Sequence, residues 1–230
     1  MIDSMKKYLD TALSMPLFRG LERLDAAELI ERMNGAVYTY PAETFIYEEG
    51  APVTGTPCIF AVLSGLLRHV RCDARGGEVI VDYTAPGGIY GWPQALGGES
   101  IFHYAAVSQD PSAVLQIEIT EAARSSAGWP VFESNILRII AETSVRLAQK
   151  ADILARRSVR EKISTYLHYE SVRQGGSSIH IPMSRQSLAD YLCVDRTTLS
   201  TELGKMRQDG LIAFRRNHFI LPPEITEVKR

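Results

Sequence analysis

The apolar positions of this 230-residue chain follow helical spacing at the start and strand-like runs through most of the first half. Leu17 to Leu21 and Ala26 to Met33 predict a helical entry. From Ala36 the β-formers Val37, Tyr38, Tyr40, Phe45, Ile46 and Tyr47 take over, interrupted by Pro41. Ile59 to Leu63 predicts a buried strand ended by a turn at Ser64-Gly65. Leu66 to Arg71 and Glu78 to Tyr83 predict two more, with a bend at Gly76-Gly77. Beyond a turn at Pro86-Gly87-Gly88, Ala105 to Val107 and Val114 to Ile119 supply later strands. Short strands at this spacing predict a sandwich or barrel.

Helical spacing returns after Trp129-Pro130, because Pro is well tolerated at a helix start. No Pro or Gly occurs from Val131 to Arg157, and Ile136, Ile140, Thr143, Leu147, Lys150 and Leu154 alternate gaps of four and three. That is a heptad seam, which predicts burial either against a partner helix or on the chain's own strand-rich half. Lys150 spoils one position, and Ala151 beside it keeps the approach close.

The end of the chain changes pattern again. Leu188, Ala189 and Leu192 form one buried face, Cys193-Val194 a turn, and Asp195 a side-chain cap for the next helix. That helix turns Leu199 and Leu203 inward and Arg196, Thr197, Ser200 and Thr201 outward, and a third helical segment ends at Gly210. Phe214 to Leu221 alternates around Asn217 and predicts a small β wing. An exposed face of Arg and short hydroxyl residues, held by a buried helix pair, is suited to reading base edges in the major groove of double-stranded DNA.

Composition adds limits. Apolar content of 45% and charged content of 23% fit an ordinary soluble globular chain. No run approaches the roughly 20 apolar residues of a membrane span, and the start of the chain reads as a helix rather than a signal peptide. Cys58, Cys72 and Cys193 are scattered, with no metal or iron–sulfur spacing, so a cytoplasmic home is expected. The net charge of −2 hides an asymmetry: residues 156–230 hold 13 basic and 8 acidic side chains, residues 1–155 hold 12 and 19. A basic C-terminal module beside an acidic partner suits nucleic-acid binding by the former alone. The chain contains no His-x-His, no G-x-S-x-G elbow and no Walker loop, so an enzyme, including a cupin-like metal barrel, is not expected.

The segments Leu188-Ala189-Asp190-Tyr191-Leu192, Val194 to Ser200, Gly210-Leu211-Ile212 and Phe214 to Leu221 resemble the winged helix-turn-helix of the cyclic-AMP receptor protein / fumarate-nitrate regulator (Crp/Fnr) family. Ser64-Gly65 and Pro86-Gly87-Gly88-Ile89-Tyr90-Gly91 resemble the turns of the family's sensor β-roll. The resemblance implies an α+β chain with a jelly-roll, cyclic-nucleotide-binding-like sensor domain at 1–128. A central dimerisation helix at 129–157 and a winged helix-turn-helix DNA-binding domain at 158–230 would follow. It also implies a homodimer on a palindromic operator, with RNA polymerase as a further partner, and no membrane association. Carried over residue by residue, Arg196, Thr197, Thr198, Ser200 and Thr201 become candidates for base and backbone contacts. Ser184, Arg185, Gln186, Arg215 and Arg216, with His218, become candidates for phosphate contacts. The family often has Glu after the arginine matched by Arg196, and Arg near the place of Thr201. Here both are Thr, so poor binding to the family's usual palindrome is expected.

The ligand loop departs from the cyclic-nucleotide pattern. Trp92 follows Gly91 where such members carry a ribose-binding Glu, and His103-Tyr104 stands in the apparent place of a phosphate-binding Arg-Ser pair. Neutral His does not replace a bidentate guanidinium, and Trp offers only an N–H donor. Cyclic AMP is therefore not the expected effector, and the cysteine pattern excludes the iron–sulfur route. The remaining candidates, Tyr90, Trp92, His103 and Tyr104 with Thr143 and Ser144 of the central helix, suit a flat, mostly apolar ligand; the same rings also suit core packing. No cofactor is fixed by these residues. Some relatives hold haem, so a haem-dependent gas sensor with His69 or His103 as ligand stays open. A constitutive DNA-binding dimer with a ligand-free β-roll stays open beside it.

Overall fold

The computed structural model describes residues 2–72, 78–181 and 183–222. The predicted bend at Gly76-Gly77 lies outside them. The chain forms two compact units, 1–142 and 143–230, and the division falls inside one continuous helix.

In the first unit, helix α1 (Ile2–Leu13), a short 3-10 turn (Pro16–Phe18) and α2 (Arg23–Arg32) precede the strands. These are β1 (Ala36–Tyr40), β2 (Thr44–Tyr47), β3 (Cys58–Ser64), β4 (Leu67–Cys72), β5 (Glu78–Thr84), β6 (Ile89–Tyr90), β7 (Ala105–Ser108) and β8 (Ser112–Glu118). Helix α3 (Trp92–Gly97) interrupts them after β6, and α4 (Glu121–Arg124) follows β8. Two four-stranded antiparallel sheets result, ordered β1-β8-β3-β6 and β2-β7-β4-β5. The first is buried on both faces. Ile59, Ala61, Leu63, Leu115 and Ile117 pack with Leu17, Phe18, Leu29 and Phe132 in one cluster, while Val62 and Val114 turn the other way, toward Leu67, Tyr90 and Ala106. Double-sided burial explains why β3 and β8 read as nearly continuous apolar runs.

Glycine decides the geometry at two points. Gly65 (φ 83°) turns the β3–β4 hairpin where a Cβ would lie 2.2 Å from Ser112 Oγ. Gly91 (φ 75°) starts α3 where a Cβ would lie 2.6 Å from the Phe60 ring.

Helix α5 (Trp129–Ala155) spans the division. The second unit continues with α6 (Val159–Gln174), β9 (Ser178–His180), α7 (Arg185–Tyr191), α8 (Arg196–Gln208), β10 (Ala213–Arg215) and β11 (His218–Ile220). Ser158 caps α6 in a reciprocal capping box with Glu161. The three last strands form an antiparallel sheet ordered β10-β11-β9. Its core joins Ile153, Ile163, Leu167, Leu188, Leu199, Leu203, Met206 and Phe219.

The structure corrects three local expectations. The segment up to Gly210 is no separate third helix, because α8 runs unbroken through Gly204. Asp195 stands at the α8 N-cap in extended backbone conformation, but its side chain makes no cap hydrogen bond. The heptad seam is rotated: Ile136 (3% exposed) and Lys150 (7%) face inward, whereas Leu137 (64%) and Leu147 (42%) face outward. The exposed positions Leu137, Ser144, Leu147 and Ala151, with half-buried Ile140 and Leu154 between them, keep the alternating spacing, with small residues where Thr143 and Lys150 were expected. Lys150 instead lays its ammonium over the Tyr191 ring, 4.4 Å from the centroid.

Candidate nucleic-acid interface and β-roll interior

The α7–α8 pair owes its rigidity to the turn between the helices. Cys193 takes a left-handed conformation (φ 51°), and the amides of Cys193 and Val194 donate to the carbonyls of Asp190 and Ala189 at 3.1 and 3.0 Å. Leu188, Ala189, Leu192, Leu199, Leu203 and Met206 are buried beneath it. Arg160 of α6 ties down the far end of α8 through ion pairs to Glu202 and, at 2.8 Å, to Asp209. With its apolar side sealed, α8 presents Arg196, Thr197, Thr198, Ser200 and Thr201 to solvent. Ser184 caps α7 by accepting from the Ser187 amide at 3.0 Å, so its hydroxyl is partly committed. Gln186 is exposed and donates to Asp190 at 2.8 Å.

The wing turns at Arg216 (φ 54°) and Asn217, with Arg215 opposite His218. Arg215, Arg216 and His218 are exposed. Arg185, a phosphate-contact candidate from the sequence, is half-buried beside the wing. Its guanidinium lies 5.3 and 5.0 Å from the ring centroids of Phe214 and Phe219 and donates to the Arg216 carbonyl at 2.7 Å. Burial lowers its pKa from the usual arginine value. A cleft of about 700 Å³ runs along this face, lined by His180, Arg185, Arg215, Arg216, Asn217 and His218. Sequence reading missed His180 because β9 is three residues long and takes its register only from pairing with β11.

In the first unit the predicted effector residues separate. Tyr90 lies between the sheets, stacked on Phe60 with centroids 4.9 Å apart. Trp92 packs instead against the other cluster, on the helix-covered face. His103 is exposed and pairs with Glu99 at 3.0 Å. Tyr104 is half-buried, its ring edge-on to His69 at 5.2 Å. Thr143 and Ser144 belong to the second unit, where Arg146 donates to the Thr143 hydroxyl at 3.4 Å. His69, a lone strand histidine in the sequence, is 3% exposed and Nε2 meets Thr84 Oγ1 at 2.7 Å. Burial pushes its pKa down to about 4, so the ring is neutral at pH 7. Among the described residues, no group of three or more His, Cys, Asp or Glu side chains is arranged to hold a metal ion, and no helix is long and apolar enough to cross a membrane.

Residues 37–124 match the cyclic nucleotide-binding domain model, and residues 161–224 match the Crp-like helix-turn-helix domain model. The chain is 30% identical over 202 residues to the nitrogen fixation regulation protein FixK of Bradyrhizobium diazoefficiens, covering 83% of this chain and 80% of FixK. It is 25% identical over 209 residues to the transcriptional activator protein FnrA of Stutzerimonas stutzeri, covering 88% of this chain and 82% of FnrA. The fold is shared with FixK2 from Bradyrhizobium japonicum, with a TM-score of 0.62 and 19% identity across 83% of this chain and 95% of that one. With helix-turn-helix, wing and β-roll all in place, the chain belongs to the Crp/Fnr family and is a DNA-binding transcriptional regulator, not an enzyme.

Proposed function

We propose that this regulator acts in the cytoplasm as a homodimer on a two-fold symmetric operator and answers a small effector held by its β-roll. The observation that carries the DNA reading is α8 itself: its apolar side is sealed in the core and Arg196, Thr197, Thr198, Ser200 and Thr201 are all exposed. These residues meet bases and adjoining backbone. Ser184, Gln186, Arg215 and Arg216 meet phosphates, and Arg185 acts through the wing that it holds. The outward seam of α5 supports the homodimer, because Leu137 and Leu147 otherwise remain in water. A two-fold dimer presents two recognition helices about 34 Å apart, the spacing of successive major grooves.

In this reading the functional parts are a sensor domain at 1–128, a dimerisation helix at 129–157 and a DNA-binding domain at 158–230. Of the candidate effector residues, Tyr90 and Tyr104 lie at the β-roll interior, while Thr143 and Ser144 belong to the second unit. Effector binding shifts the population of dimers whose two DNA modules match the operator spacing. Bound dimers then recruit or hinder RNA polymerase. The similarity to FixK and FnrA supports the regulatory role.

The test is selection of bound duplexes from a random library by the purified chain, followed by sedimentation of the complex. Inverted half-sites one helical turn apart and two chains per duplex are expected. Selection of a single half-site by one chain would refute the dimeric reading.

A further inference from the structure

Between the two sheets, two side chains carry polar atoms that no group among the described residues satisfies. Tyr90 is 2% exposed and His69 is 3% exposed. The Tyr90 hydroxyl and the His69 Nδ1 are both buried without a hydrogen-bond partner. Their rings are 5.4 Å apart between centroids. Buried polar side chains are nearly always paired, and each unpaired one destabilises the fold, so two orphans side by side call for an explanation. The surrounding groups are rings: Phe60 stacks on Tyr90, Tyr47 lies 5.9 Å from Tyr90, and Tyr104 lies 5.2 Å from His69.

We infer that the β-roll interior binds one uncharged, planar hydroxyl compound of the phenol class, whose hydroxyl accepts from the Tyr90 hydroxyl and donates to His69 Nδ1. This rests on the effector-responsive reading above and names the chemistry of its ligand. This polarity is that of one His69 tautomer. If Nε2–H donates to Thr84 Oγ1, Nδ1 is left as an acceptor, and Tyr90 is left as a donor. One ligand hydroxyl satisfies both.

Charge excludes the anionic alternatives. His69 stays neutral at physiological pH because burial lowers its pKa to about 4. Burial likewise keeps Tyr90 in its protonated form. Arg68 sits on the opposite face of β4 from His69 and pairs with Glu43 at 2.6 Å and Glu78 at 3.6 Å, and Arg71 of the same strand pairs with Glu49 at 3.0 Å. A carboxylate or phosphate in this interior would therefore be buried without a counter-charge. The Tyr47–Phe102 stack, with centroids 3.8 Å apart, continues the run of rings beside Tyr90.

The experiment uses the full chain and three probes read by fluorine NMR: 4-fluorophenol, 4-fluorobenzoate and 4-fluorotoluene. Saturable binding of 4-fluorophenol is expected, at least tenfold tighter than either other probe and at least tenfold weaker in Tyr90→Phe. Tyr90→Phe removes an orphan hydroxyl without changing shape, so it should melt at or above the wild-type temperature and remain folded. Benzoate binding as tightly as phenol, phenol binding unchanged in Tyr90→Phe, or no binding of any probe would each overturn the inference. No probe binding together with a lower melting temperature for Tyr90→Phe would indicate a structural water as the partner, which also overturns it. Operator affinity measured with and without 4-fluorophenol separates this inference from the function it rests on. Binding with no change in operator affinity removes the effector role and leaves the site. A change in operator affinity with some other effector but no phenol binding removes the site alone.

Discussion

Arg185 and Phe219 are held together across the helix-turn-helix and its wing, the guanidinium 5.0 Å from the ring centroid. The contact joins the first turn of α7 to β11, and a second ring, Phe214, lies 5.3 Å from the same guanidinium. Arg185 thus acts as a clamp that registers the wing against the recognition helix. Arg185→Ala should lower stability by roughly 1–2 kcal/mol through lost ring contact and packing. It should weaken operator binding while leaving the salt dependence almost unchanged. Arg185→Lys should restore little, since a point charge does not reproduce a stacked planar fork. Melting temperature and fluorescence anisotropy across a salt series check this; a salt slope reduced by about one in Arg185→Ala would make the residue a phosphate contact instead.

Arg196 begins α8 with its side chain in solvent and is the natural counterpart to that experiment. As a base reader, its replacement by Ala should cost about 1–3 kcal/mol on the matched operator and flatten discrimination at one position per half-site. Arg215→Ala on the wing should weaken all sequences about equally and reduce the salt slope. Binding of the selected operator and of single-base variants, at two salt concentrations, separates the two roles.

The corrected seam of α5 makes an oligomerisation prediction that the original register does not. Leu137→Glu replaces a side chain that is 64% exposed and belongs to the corrected seam alone, and it should yield monomers in sedimentation equilibrium at micromolar concentration. Lys150→Met alters a side chain that is 7% exposed over Tyr191, so it should leave the dimer intact and change only the stability of the second unit. Dissociation by Lys150→Met with an intact Leu137→Glu dimer would restore the register with Ile136 and Lys150 in the seam.

The uneven legibility of the chain has physical causes. β3 and β8 are plain in sequence because both their faces are covered, which turns them into apolar runs. The recognition helix is plain because Leu199 and Leu203 fix its inner side and leave its outer side polar. The register of α5 is ambiguous because its first half is apolar on two sides: Phe132, Ile136 and Ile139 face inward, Leu137 faces out, and Ile140 lies between. β9 escapes detection because its register comes from β11 and not from a local pattern. His69 gives no local signal at all, since its role depends on Thr84 and on the rings of Tyr90 and Tyr104.

His69 also sets a pH dependence whose sign can be worked out. Its pKa falls from the ordinary 6.5 to about 4 in the folded chain because burial disfavours the imidazolium. Between these values the unfolded chain binds the proton and the folded chain does not, so stability rises with pH across this window. The contribution is complete above about pH 6.5 and is lost as pH falls toward 4. A shift of two to three units corresponds to roughly 3 kcal/mol. Glu43, Asp152 and Glu161, whose pKa values are lowered mainly by hydrogen bonds to Arg68, Arg156 and Ser158, lose their contributions only as pH falls through the carboxylate range. Chemical denaturation of the wild type and of His69→Gln at several pH values from 4 to 7 isolates the histidine. The stability of the wild type relative to the variant should fall by roughly 3 kcal/mol from the top of this range to the bottom. A difference that stays constant would mean that His69 takes up its proton equally well in the folded and unfolded chain, and that the β-roll interior is open to water.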